Sequence, residues 1–193
     1  MIGFKTIEYS SETNELVILD QTKLPEEEIY LTLKTAEEVY EAIKQMNVRG
    51  APLIGVAAAY GIVLAARTGN EESVRKACDL IQSARPTAVN LSWAVDRIER
   101  RIETSKNSFA ALLSEARAIE KEDKEACEAI GNYGADLITE NARIMVHCNA
   151  GALATSGIGT ALGIIYTAKE QGKTFSVFSC ETRPLLQGAR LTS

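Results

Sequence analysis

The chain has 193 residues, 21 basic against 26 acidic, a formal net charge of −5 and a single histidine. Apolar residues make up 46% and charged residues 24%, a soluble globular balance with enough apolar content to bury a real core. Net acidity argues against a nucleic-acid coat, which needs clustered Lys and Arg, and the start MIGFKTIEYSSETNE lacks the basic-then-apolar order of a secretion signal.

The first thirty residues carry two alternating stretches, around 4–9 and 15–19, separated by the turn-forming SSETN. These read as a hairpin, and residues 28–33 as a third strand. The period then changes. Thr35 with Glu38 fits a capping box for a helix running to about residue 46. Residues 51–66 form the longest uncharged apolar run, with Pro52, Gly55 and Gly61 inside it. That is short for a membrane span and reads as a central buried helix. Two amphipathic helices follow over 71–84 and 90–104, separated by Arg85 and Pro86, since the residue before a proline is pushed out of helical geometry. A long helical stretch covers 109–139, weakened late by Gly131 and Gly134.

Near Arg143 the texture changes again. Residues 144–146 form a short strand ending in HCNAG; a small-residue loop leads to a helix over 157–171; residues 175–178 form another strand, followed by CETRPLLQGAR. Strand, helix, strand is a parallel βαβ unit. The fold class is therefore α/β. A small antiparallel sheet plus helical bundle over 1–140 precedes the first part of a Rossmann-like parallel α/β domain over 141–193. Two parallel strands make an incomplete sheet, because such sheets are normally covered on both faces and have more strands.

Four cysteines, Cys78, Cys127, Cys148 and Cys180, show no CxxC spacing, and one histidine cannot complete a usual zinc set. No metal is expected. Free thiols fit a reducing cytoplasm, and each cysteine reads first as a small buried apolar residue.

Five segments could carry chemistry. In NVRGAPLIG, Arg49 and Gly50 directly precede a helix with a proline in its first turn. Free amides, a dipole end and a forked cation there suit a phosphate or carboxylate; the alternative is an ordinary turn with a surface arginine. ARPTAVNL places Arg85 at a similar junction, again either a ligand or a solvated cation. In VHCNAG, Cys148 sits at the carboxyl end of a strand, where open α/β sheets place their ligands, and the helix beyond could lower its pKa. His147 is expected to be buried and hydrogen-bonded, on the opposite face from Cys148. TSGIGTALG is one residue longer than a dinucleotide fingerprint, with Cys180 and Glu181 about twenty residues on; the alternatives are a dinucleotide loop and, the commoner use of such glycines, close helix-to-strand packing. ETRPLLQGARL groups Glu181, Arg183, Gln187 and Arg190 at the same sheet edge. Glu181 could pair with Arg183, Gln187 could hydrogen-bond a sugar hydroxyl, or the whole could be a polar surface loop. Trp93 is most simply core.

Taken together, RGAPLIG, RPTAVNL, HCNAG and ETRPLLQGARLT resemble the methylthioribose-1-phosphate isomerase family, related to regulatory subunits of a translation-initiation exchange factor and to ribose-1,5-bisphosphate isomerases. The resemblance implies an aldose-to-ketose conversion, 5-methylthioribose 1-phosphate to 5-methylthioribulose 1-phosphate, in methionine salvage. It implies no redox cofactor or metal and a homodimer; the cytoplasmic setting and the absence of nucleic-acid and membrane partners are expected from the free thiols, the net acidity and the short apolar run. By matching positions, Arg49, Gly50, Ala51, Arg85 and Gln187 would bind substrate. Cys148 would stand beside the reacting carbons as transition-state stabiliser or proton carrier. The family commonly has Asp where this chain has Cys180. It also continues beyond LQGARLT with a catalytic aspartate and an Asn-Lys pair, while no Asp follows Asp136 here. General acid-base groups contribute about 10²- to 10⁴-fold, so the chain is expected to be a fragment with little activity alone. The alternatives are a ribose-1,5-bisphosphate isomerase and a non-catalytic regulatory or scaffold subunit.

Overall fold

A computed structural model describes residues 3–67, 70–105 and 108–193; the first two residues of the start read above for a secretion signal lie outside them. Strands β1 (Ile7–Ser10), β2 (Glu15–Leu19) and β3 (Tyr30–Leu33) form an antiparallel meander. Ile7 faces Ile18 across one pair, and Leu16 and Ile18 face Leu33 and Leu31 across the other. The period of two puts these apolar side chains on one face, and Ile7, Leu16, Ile18 and Leu33 are buried.

Five helices follow: α1 (Ala36–Lys44), α2 (Ala51–Ala66), α3 (Glu71–Ser83), α4 (Val89–Ser105) and α5 (Phe109–Ala135). Helix α1 starts at the expected capping box. Thr35 Oγ1 accepts from Glu38 N at 3.2 Å, and Glu38 Oε2 accepts from Thr35 N at 3.2 Å. Asn70 caps α3 by accepting from Glu72 N at 2.9 Å. Helix α2 is apolar on every side and touches α1, α3, α4, α5 and the meander. From Leu53 to Leu64 all its residues are buried, each large one contributing about 2 kcal/mol. No helix among the described residues is long and apolar enough to cross a membrane.

Strand β4 (Ala142–Val146), helix α6 (Ala161–Glu170) and strand β5 (Phe175–Ser179) form the βαβ unit, with β4 and β5 parallel and Val146 opposite Ser179. Glycines shape its contact with α5. A Cβ at Gly131 would lie 2.6 Å from Thr167 Oγ1, and one at Gly134 2.5 Å from Ile164 Cδ1. These glycines let α5 and α6 approach closely, rather than merely weakening a helix.

Four expectations are corrected. Helix α5 stops at Ala135, short of residue 139. Helix α6 begins at Ala161, not 157, because Gly151 and Gly159 bridge across the intervening loop. Trp93 is 44% exposed. It lies off the buried stripe of α4 (Leu91, Ala94, Val95, Ile98, Ile102) and packs under the Arg97 guanidinium. His147 is exposed, since β4 ends at Val146 and the chain turns at Cys148. Cys78 and Cys127 are buried as expected, whereas Cys148 and Cys180 are only half-buried.

Candidate anion and thiol site

The site forms where the loops leaving β4 and β5 meet the start of α2. Gly50 precedes α2 with φ +107°, a conformation that favours glycine. A Cβ there would fall onto the backbone of Ala154, so glycine is required for the 152–154 turn to reach α2. Ala51 is the exposed first residue of the helix.

The β4 and β5 loops are tied together. Cys180 N donates to Val146 O at 2.9 Å, extending the parallel ladder past its last strand pair. Cys148 N then donates to Thr182 Oγ1 at 3.1 Å, and Thr182 Oγ1 donates to Cys180 O at 3.2 Å. Thr192 Oγ1 donates to Cys148 O at 2.8 Å. Cys148 and Thr182 have φ +69° and +62°. Left-handed backbone at non-glycine residues is costly and tends to collect at functional loops. Gly188 has no room for a side chain, which would strike the Cys180 carbonyl.

Gln187 bridges the halves of the site. With its carboxamide oriented as its neighbours require, it donates to Thr182 O at 2.8 Å and accepts from Arg49 Nη2 at 3.1 Å. Arg49 is half-buried, and its Nε is buried without a partner. Burial pushes the Arg49 guanidinium below its ordinary pKa. Cys148 opposes this, while the positive charges of Arg85 and Arg190 act in the same direction as burial. Among the described residues none of the three arginines has a carboxylate partner in an ion pair. A half-buried guanidinium without a carboxylate partner, under the charge of two more arginines, is a group that an anion would relieve.

The structure thus brings Arg49, Gly50, Ala51, Cys148 and Gln187 into one neighbourhood, and the positive charge of Arg85 reaches Arg49 there. Arg49 and Arg190 line a hollow of about 400 Å³ with Gln21, Lys23 and Leu185, and the carboxylates Glu26 and Glu27 stand on the same wall. Glu181 pairs with Arg183 at 2.8 Å, well exposed. The thiols differ in character. Burial, followed by Glu99 and Asp79, pushes Cys78 up to about 12, and burial also raises Cys127. Both are poor nucleophiles in the fold, while Cys148 lies in the loop cluster.

Two further residues belong with these, one named from sequence without a role and one not named at all. Arg190 was visible only as one polar residue in a loop. Asn149, next to Cys148, buries both ends of its carboxamide without a partner, at about 1–3 kcal/mol for each unmade bond. It faces a second hollow of about 1120 Å³ that also meets Tyr60, Arg117 and Thr192. HCNAG held the only available signal for Asn149, an amide one residue from the thiol.

Comparison with known proteins places these features. Residues 47–193 match the initiation factor 2 subunit family. The chain belongs to that family. It is 52% identical over 186 residues to a protein of Anaeromyxobacter sp. (strain Fw109-5) named methylthioribose-1-phosphate isomerase, covering 96% of this chain and 54% of the relative. Among solved structures it is similar to 5-methylthioribose 1-phosphate isomerase from Pyrococcus horikoshii OT3. There the TM-score is 0.90 at 37% identity, over 97% of this chain and 55% of that one. It is also similar to subunit delta of translation initiation factor eIF-2B from A. fulgidus, with TM-score 0.88 at 40% identity over 98% and 58% of the two chains. The chain spans about half the length of the curated relatives it matches. The α/β architecture, with its small antiparallel sheet, helical bundle and parallel strand pair, is that of this family's structures.

Proposed function

We propose that this chain carries the phosphate-binding and thiol-bearing part of a sugar-phosphate aldose–ketose isomerase acting on 5-methylthioribose 1-phosphate. The observation that carries the reading is a half-buried Arg49 whose Nε has no partner, which is held by Gln187 and shares its hollow with Arg190. The relatives at about half identity that bear the isomerase name support it.

In this reading Arg49 and Arg85 hold the phosphate on C1, with the α2 N-terminus at Gly50 and Ala51 adding its dipole. Gln187, already bonded to Arg49, gives its amide to a sugar hydroxyl. Asn149 supplies a second amide, and a substrate hydroxyl satisfies its two orphaned ends. The reaction opens the bond between C1 and the ring oxygen, which takes a proton. Hydrogen moves from C2 to C1, and the C2 hydroxyl loses its proton to become the ketone. Cys148 stands beside these carbons as stabiliser or proton carrier. The division into domains at 140/141, a homodimer and a cytoplasmic setting belong to the same proposal, as does the absence of nucleic-acid partners.

The test is calorimetric titration of the purified chain with 5-methylthioribose 1-phosphate and ribose 1,5-bisphosphate, alongside a turnover assay. The methylthio sugar should bind more tightly. Arg49→Ala should weaken it about 10- to 100-fold, the worth of a charge-assisted hydrogen bond. Cys148→Ser should keep binding and remove whatever turnover the chain has. Absence of sugar-phosphate binding, or binding indifferent to Arg49→Ala, would overturn the reading. The likeness to the delta subunit favours a second reading, a non-catalytic subunit that binds a phosphorylated ligand. Binding that depends on Arg49, with no turnover even from a chain of the relatives' full length, would support that one.

A further inference from the structure

We propose that Arg190 is a positioning residue of the anion site: it clamps the turn bearing Gln187 against Arg49. The inference rests on the phosphate-site reading above and deepens it. Arg190 Nη2 shares its two protons among three carbonyls, Leu24 O at 2.8 Å, Thr22 O at 3.2 Å and Gln21 O at 3.3 Å, on a turn 166 to 169 residues earlier in the chain. The same turn supports Arg49 from the other side. Gln21 Nε2 donates to Leu153 O at 2.6 Å and to the Arg49 carbonyl at 3.5 Å. Gln187 and Arg190 belong to one closed turn, in which Arg190 N donates to Leu186 O at 2.8 Å and Ser193 N to Gly188 O at 3.0 Å.

The contacts therefore make a ring: Arg49 to Gln187, along the turn to Arg190, across to residues 21–24, and through Gln21 back to Arg49. A guanidinium fixes its donors in a plane, whereas an ammonium is a point charge on a flexible stem. Leu186, at φ +55°, is a strained position that needs such support. The bonds to carbonyls consume no charge, so Arg190 stays a cation on the wall of the hollow it shares with Arg49.

Inorganic phosphate is the probe, titrated into the full 193-residue chain by calorimetry. Amide hydrogen exchange is followed over residues 186–193, and folding by circular dichroism. Wild type should bind, and Arg49→Ala should weaken binding about 10- to 100-fold. Arg190→Gln should weaken binding about 10-fold and speed exchange at the Arg190 and Ser193 amides. Arg190→Lys keeps the charge and tests the clamp even should the glutamine variant fail to fold; it should fall well below wild type. Gln187→Ala should weaken binding several-fold in the wild-type background and add almost nothing to an Arg190 variant, because coupled residues are non-additive. Wild-type affinity or unchanged exchange in Arg190→Lys would overturn the clamp, as would simple multiplication of the two losses. If wild type ignores phosphate, the anion reading falls and takes the clamp with it. If Arg49→Ala alone matters, only the clamp falls.

Discussion

The helical region and the βαβ region divide the work of the molecule between them. Around α2 the chain builds one dense core, with Leu53, Ile62, Leu91 and Ile98 all at 0% exposure. The β4–β5 pair does the opposite, leaving Met145, Val177 and Phe178 at 74%, 42% and 47% exposure. Its loops collect left-handed residues and, at Asn149, unpaired polar atoms. The contrast shows where stability and chemistry reside. A well-packed helical block can hold a guanidinium and a helix start rigidly, while strand-end loops can carry strain and open valences that a ligand would use.

The largest expected effect tests that division directly. Ile62→Ala should cost about 2–5 kcal/mol, because the cavity cannot collapse inside so dense a core. Val177→Ala on exposed β5 should stay within about 0.5 kcal/mol. Urea unfolding of the two variants measures both, and equal losses would break the comparison.

Glycines sharpen it further. Gly50→Ala forces a Cβ onto Ala154 at φ +107°, whereas Gly172, at φ +84°, has nothing within 4 Å. The first substitution should cost about 3 kcal/mol and disturb phosphate binding; the second should cost about 1 kcal/mol and leave binding alone. Thermal unfolding with and without phosphate separates them.

The smallest effect concerns the turn joining the two regions. Burial raises the Asp20 carboxyl, but hydrogen bonds from Asn47 and Thr22 outweigh it and hold the group below its ordinary range. A carboxylate with a lowered folded pKa stabilises above its unfolded value near 4 and loses that contribution as pH falls through the folded one. Asp20→Asn should therefore be about 1 kcal/mol less stable than wild type at pH 7. The gap should close on acidification below pH 4. Urea midpoints across pH 3–7 measure it; a gap independent of pH would show that the charge contributes nothing.

Much of this architecture was legible in the residue order. Alternation announced the meander, the Thr35–Glu38 pair announced the start of α1, and the uncharged run 51–66 announced the buried helix, because each signal is local and repeats with its element's period. The motifs around Arg49, Arg85, Cys148 and Gln187 could be marked as candidates for the same reason. Other features depend on partners far away in the chain. His147 is exposed because β4 stops at Val146, before the HCN segment begins, and Trp93 is exposed because the α4 stripe passes beside it. Gly50 is obligatory because of Ala154, and the glycines of α5 because of α6. Sequence by itself determined which segments would be helix, strand or ligand-edge loop, since periodicity and capping act over a few residues. Only the tertiary structure decided that Gln187 lies on Arg49 and that Arg190 closes onto residues 21–24. Such contacts join groups more than a hundred residues apart, and no local pattern encodes which carbonyl a distant guanidinium will find.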